Sequence, residues 1–414
     1  LYVAGAVDVA PGSGNGVAIG TGSNAPKAEN VAIGKGATIE YSGGVGQPST
    51  GDIVIGGKAH INNYIDQGGG IAIGANSFVE NMVGGMERAF DFNQAGYKNL
   101  FGIPFGLPKN PEKMVTGMAI GQNTYARSGS IMLGTHNYKG KLGDVDVDSS
   151  NTKNNNGHLF STTIGANSYS NGLFSSIVGA YSIASSGYPT TTADATKNFG
   201  ATITGSLNSI ESASASSQYS GVANSIVGTA NRTFNSNGSL VFGAGNEITN
   251  SVTSISAPSS GGNSAKELSE KLRSAVKNSN GGGSTMAFGS GNKADYTLRS
   301  ALMGVNNTLT GSQGKESKNT MLTGFHNTAD KVSNTTVIGS ENTVTNSKNS
   351  LVMGDNREVK DANHAVLIGS TDNKTTTSVN NAVAVGHNTN VTVEGGVALG
   401  SESKATVAAG SVGY

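Results

Sequence analysis

Residues 336–342 read TVIGSEN and residues 351–356 read LVMGDN: a short apolar run, a glycine, and an asparagine two or three positions on. The same unit precedes them as MAFGSGN (286–292), ALMGVNN (301–307) and MLTGFHN (321–327), and follows them as VLIGST (366–371), VAVGHN (383–388) and VALGSES (397–403). Nearer the N-terminus it stands as VAIGTGSN (17–24), VAIGKGA (31–37), DIVIGGKA (52–59), IAIGANS (71–77), MAIGQNT (118–124) and SIMLGTHN (130–137). TTIGANS (162–168), SIVGAYS (176–182), ATITGSLN (201–208), SIVGTAN (225–231) and LVFGAGN (240–246) complete the series. A single Val/Ile run ending in glycine would mean little. Repetition along one chain marks stacked structural units.

The spacing decides the architecture. Gly289, Gly304, Gly324, Gly339, Gly354, Gly369, Gly386 and Gly400 are separated by 15, 20, 15, 15, 15, 17 and 14 residues. A turn of 14–15 residues has room for two strands of about five residues and two bends, but not for a strand, a helix and two loops. NTVTNS (342–347) and TNVTVEG (389–395) read as the second strand. Stacked turns pair each strand in parallel with its copy, which predicts an all-β parallel β-roll or solenoid running as one repetitive body over 1–414. The glycine suits a bend at the strand end. The asparagine suits a left-handed turn residue, and stacked copies of it predict a side-chain ladder.

Strand side chains alternate faces. One position before the glycine stand Ile19, Ile33, Ile55, Ile73, Ile120, Leu133, Phe242, Ile338, Met353, Ile368 and Leu399. Two positions before it stand Ala18, Ala32, Val54, Ala72, Met132, Ile177, Val241, Leu322, Val352, Leu367 and Ala384. Both faces are apolar, although a free-standing roll needs to bury only one. Burial of the other against further copies of the chain predicts a homo-oligomer of closed symmetry. Ala72 and Ala384 are expected at that subunit interface, so that an aspartate at either would block assembly.

Insertions interrupt the period at about 78–116, 136–161, 182–200 and 247–284. The first carries Phe90, Phe92, Tyr97, Phe101 and Phe105 together with Pro104, Pro108 and Pro111. Rings stiffened by prolines are candidate partner-binding residues, since aromatics dominate binding hot spots, and they serve equally as a small core holding the insertion down. In the second, Asp144, Asp146 and Asp148 miss the calcium-loop pattern, which needs Gly at its sixth position and Glu at its twelfth; here those are Ser149 and Asn155. In the last, Ser264 and Glu267 form a capping box before KELSEKLRSAVKN, and Leu268, Leu272 and Val276 make one helical stripe. A short amphipathic helix lying on the roll is expected there.

Composition narrows the function. The chain has 414 residues, 61 of them glycine, no cysteine or tryptophan, and only 13% charged residues with a net charge of zero. A balanced charge argues against nucleic acid as partner, and no apolar run approaches the roughly 20 residues of a membrane span. The histidines (His60, His136, His158, His326, His364, His387) fall in no HExxH, and no GxSxG or P-loop is present. No catalytic, cofactor or metal residues are assigned, and the chain is expected not to be an enzyme. A polysaccharide-binding or -cleaving β-helix and a structural fibre such as a tailspike are the competing readings.

NGVAIG (15–20), ENVAIG (29–34), GGIAIG (69–74) and GGVALG (395–400) resemble the head repeats of the trimeric autotransporter adhesins, the group that includes the Yersinia adhesin. The resemblance implies a left-handed parallel β-roll, a homotrimer, and display on the bacterial surface through a stalk and a C-terminal outer-membrane anchor, neither of which is in this chain. It implies attachment to host cells. The partner would be extracellular matrix, or a surface receptor such as an immunoglobulin-like molecule of the CEACAM type. The aromatic insertion favours the discrete receptor.

Overall fold

The computed structural model describes residues 16–27, 29–41, 51–63, 69–81, 116–137, 160–170, 172–188, 197–213, 220–259 and 265–408. The chain forms two compact units, one of residues 1–223 with 255–278 and one of 224–254 with 279–414. Among the described residues, the regular structure of both is mainly short strands paired in parallel.

In the first unit the glycine-ended strands stack in chain order. Val17–Ile19 pairs with Val31–Ile33, which pairs with Ile53–Ile55, then Ile71–Ile73, Met118–Ile120 and Ile131–Thr135. A second row, Thr38–Tyr41, His60–Asn63, Phe78–Asn81 and Tyr125–Arg127, stacks beside it. In the second unit the register runs glycine to glycine: Gly289 to Gly304, Gly304 to Gly324 and Gly324 to Gly339. Long insertions leave the register untouched. Ile73 faces Ile120 as Ile19 faces Ile33.

Second-row strands reach into stretches expected to be insertion. Phe78–Asn81, Ile183–Tyr188 and Glu247–Thr249 all pair in parallel with neighbouring copies, so the excursions begin after them. The alternation of Phe78, Val79 and Glu80 is that of a strand, and pairing to Tyr125, Ala126 and Arg127 holds it.

The glycine is demanded by contact as well as by conformation. Gly324 has φ 123, and a Cβ built on it would stand 2.0 Å from the carbonyl oxygen of Gly339. No side chain fits there.

The residues two before each glycine are the chain's own core. Ala32, Val54, Ala72, Met132, Val241, Leu322, Leu367 and Ala384 are all fully buried within one chain. This corrects the expectation for Ala72 and Ala384, which belong to the interior of the coil rather than to a surface between copies. Aliphatic side chains from Ala to Leu and Met fill the space between the two strand rows. Thr163 occupies the same column between Met132 and Ile177, fully buried and with its hydroxyl unpartnered.

Several turns in the second unit have three left-handed corners where two bends are expected. In the turn that starts at Gly324 these are His326 (φ 58), Lys331 (φ 51) and Asn334 (φ 50); in the next they are Glu341, Asn346 and Asn349. The last two corners frame a short third wall, seen in the pairing of Thr297–Leu298 with Ser317–Lys318 and in the bridges Lys318 to Ser333 and Ser333 to Lys348.

The expected helix is present as α1, Ala265–Asn278. It packs Leu268, with Leu272 and Val276 partly buried, on a cluster of Leu173, Phe199, Val222 and Ile255 within the first unit. Among the described residues no helix is long and apolar enough to cross a membrane.

Candidate binding surfaces

The repeat places two kinds of column side by side, one satisfied within the chain and one left open. The satisfied column stands three residues after the glycine. Asn292 is bonded within the chain: its backbone N–H and its Nδ2 both donate to Asn246 Oδ1, and Nδ2 also donates to the Gly304 carbonyl at 2.9 Å. Asn307, Asn327 and Asn342 repeat the pattern, each bonding the preceding asparagine and the glycine carbonyl of the following turn. All are buried. This is the predicted ladder, with one difference. Asn231 and its successors are not left-handed; the left-handed residue is the one before them, as at Asn306 and His326. In shorter motifs such as AIGQN the asparagine itself, Asn123, takes that corner with φ 52. In some turns of the first unit serine replaces the amide, Ser182 N–H donating to Ser168 Oγ and Ser182 Oγ to the Gly205 carbonyl.

Arg357 ends the amide ladder. Its backbone N–H donates to Asn342 Oδ1, and its guanidinium donates to the carbonyls of Gly369, Gly386 and Thr389 and to Thr389 Oγ1. In register, Thr375 of the next turn stands opposite Arg357, and the long arginine side chain bonds oxygens of that turn and of the one after it. Burial lowers the Arg357 pKa from its ordinary value.

The open column is the outward side of the glycine-ended strands. Val17, Ile19, Ile55, Ile131, Ile164 and Val178 are exposed in the first unit. Phe242, Met286, Met303, Met353, Val397 and Leu399 are exposed in the second, Phe242 by 54% and Leu399 by 64%. Phe242 and Phe288 stack at 6.4 Å between centroids. Contiguous apolar surface of this kind marks an interaction face.

Polar edges flank it. His326 Nδ1 lies 3.0 Å from Glu341 Oε1, and His387 Nε2 lies 3.1 Å from Asp372 Oδ1. Hydrogen bonds from Asn388 and His387 hold the Asp372 carboxyl below its ordinary pKa. Among the described residues no group of three or more His, Cys, Asp or Glu is placed to hold a metal ion.

One buried carboxylate was not singled out from the sequence. Asp52 accepts from Gly70 N–H at 2.9 Å, Asn63 Nδ2 at 2.8 Å and Tyr41 Oη at 3.1 Å. Burial pushes its pKa up to about 6 despite these bonds. In sequence it reads as an ordinary turn residue before a strand.

Phe90, Phe92, Tyr97, Phe101 and Phe105 lie outside the described residues, as do Asp144, Asp146, Asp148, His158 and Ser264. Phe78, from the same aromatic stretch, belongs to the second strand row, its ring 5.0 Å from His60 and 5.4 Å from Tyr125 between centroids.

No model of a known protein family matches the chain, and no curated protein matches it.

Proposed function

We propose that this chain is the head of a bacterial cell-surface adhesin that assembles as a homotrimer and attaches to host cells. The reading takes the coil as left-handed, with turns of 14–15 residues. It takes the C-terminal side as leading to a stalk and an outer-membrane anchor. The observation that carries it is the exposed apolar column on the glycine-ended strands of each unit, on a backbone that repeats. A face that repeats along its own length is matched by a copy of itself in closed symmetry, and this buries Ile131, Phe242, Met303 and Leu399 together with their equivalents. The host partner is a discrete surface receptor of the immunoglobulin-like CEACAM type, with extracellular matrix as the other candidate. Phe90, Phe92, Tyr97, Phe101 and Phe105 are the contacts proposed for it. On this reading the protein catalyses nothing and needs no cofactor.

Light scattering of the purified chain tests the assembly: a mass near three times 41.6 kDa is expected, and a monodisperse monomer overturns it. Binding to immobilised host receptors and matrix proteins tests the rest. Replacing residues 80–114 by a short Gly-Ser turn is expected to keep the trimer and abolish receptor binding. Retained binding moves the receptor site off the aromatic insertion.

A further inference from the structure

Four lysines meet on the third wall of the second unit. Lys315, Lys318, Lys331 and Lys348, with Glu316 and Ser333, line a cavity of about 400 Å³. Its concavity comes from an insertion. The turn from Gly304 to Gly324 is longer than its neighbours, and the extra residues fold as a tight loop in which Ser312 and Lys315 exchange backbone hydrogen bonds at 3.2 and 2.8 Å. That loop supplies one side of the cavity. The regular turns after it supply the other, through the bridges Lys318 to Ser333 and Ser333 to Lys348.

The charges there are only partly compensated. Lys331 pairs with Asp330 at 2.9 Å, and Glu316 accepts from the Gly314 N–H of its own loop at 2.8 Å. Lys315, Lys318 and Lys348 have no ion-pair partner among the described residues. In a chain of zero net charge this is a local excess of cations. Lys318 and Lys348 flank Ser333 at two strand spacings, roughly 10 Å. Beside them runs a line of exposed amides: Asn319 Nδ2 donates to Asn334 Oδ1 at 2.9 Å and Asn334 Nδ2 to Asn349 Oδ1 at 3.0 Å. Each amide keeps a second N–H and an acceptor lone pair for a ligand.

We propose that this cavity binds an acidic polysaccharide, a sugar chain bearing sulfate or carboxylate groups. Spaced ammonium groups suit separate anionic substituents along a chain, and Ser333 between them, with the amide line beside them, suits sugar hydroxyls. No aromatic ring lines the cavity, so a nucleic acid would find no base-stacking platform. The site does not rest on the trimer reading, because Lys318, Ser333 and Lys348 lie off the strand row that carries the apolar column.

A heparin-derived octasaccharide titrated calorimetrically into the full chain at low salt tests the proposal. Saturable binding that weakens as salt rises is expected. Lys318→Ala with Lys348→Ala is expected to weaken it by at least about tenfold, as is removal of residues 312–316. Lys318→Arg with Lys348→Arg retains most of it, and Lys266→Ala with Lys277→Ala on α1 leaves it unchanged. Circular dichroism confirms that each variant is folded. Absence of binding by the unaltered chain, unchanged binding by the folded alanine pair, or equally tight binding of a DNA duplex of matched charge overturns the proposal. A monomeric mass with octasaccharide binding intact overturns the trimer alone.

Discussion

The backbone N–H of Arg357 donates to the side-chain oxygen of Asn342 at 3.0 Å, the bond that each ladder asparagine makes to the one before it. Arg357 is thus a ladder member by its main chain and a terminator by its side chain. It is fully buried, and its guanidinium is met by neutral oxygens. Arg357→Ala leaves the carbonyls of Gly369, Gly386 and Thr389 without that donor. A loss of about 3–5 kcal/mol is expected, read as a lower urea midpoint. Arg357→Asn should recover only part of it, because the amide reaches Gly369 and not Thr389.

The inward and outward columns predict opposite phenotypes. Ala384→Asp places an unpaired charge inside the chain's own core, at a cost of several kcal/mol, and is expected to abolish the folded far-UV spectrum. Phe242→Asp with Met303→Asp alters only exposed positions. That pair should keep the β spectrum and convert the assembly to monomers by light scattering. An unchanged trimer would relocate the interface.

Thr163 offers a stabilising change. Its buried hydroxyl has no partner, while the neighbours in its column are Met132 and Ile177. Thr163→Val keeps the shape and removes the unpaired group. A gain of about 1 kcal/mol is expected, seen as a higher melting temperature.

Asp52 predicts a pH dependence. Its folded pKa is about 6 against an ordinary 3.8, so the folded chain binds its proton more tightly than the unfolded chain does. The stabilisation from that proton is complete below about pH 4 and is lost as pH rises through 6, a span on the order of 3 kcal/mol. Asp52→Asn should flatten this window. Denaturant midpoints of both proteins between pH 4 and pH 7.5 measure it.

The strand row was legible because each copy carries the same apolar run and glycine, and glycine is required by the approach of the next turn's backbone. Helix α1 was legible from Leu268, Leu272 and Val276. The third wall was not. Its corners are Lys331, Asn334, Tyr296 and Arg299 in different turns, residues that share a sign of φ and no chemistry. Arg357 was missed for a related reason: a single arginine beside a glutamate in NREVK reads as surface. Asp52 and the lysine cavity depend on residues brought together from different turns, and the spacing within any one turn does not announce them.

The Gly117 backbone N–H donates to Asn81 Oδ1 at 2.8 Å, and Asn81 Nδ2 donates in turn to Asn63. Asn81 and Gly117, 36 residues apart in sequence, are therefore held together by the coil's own bonds. The entropy cost of closing a segment between such points grows only slowly with its length, and the strands on either side of it keep their register, Ile73 against Ile120. The coil is in this sense a display frame. Foreign sequence grafted between Asn81 and Gly117 would be presented from fixed ends, and one frame could change what it presents by exchanging a single segment.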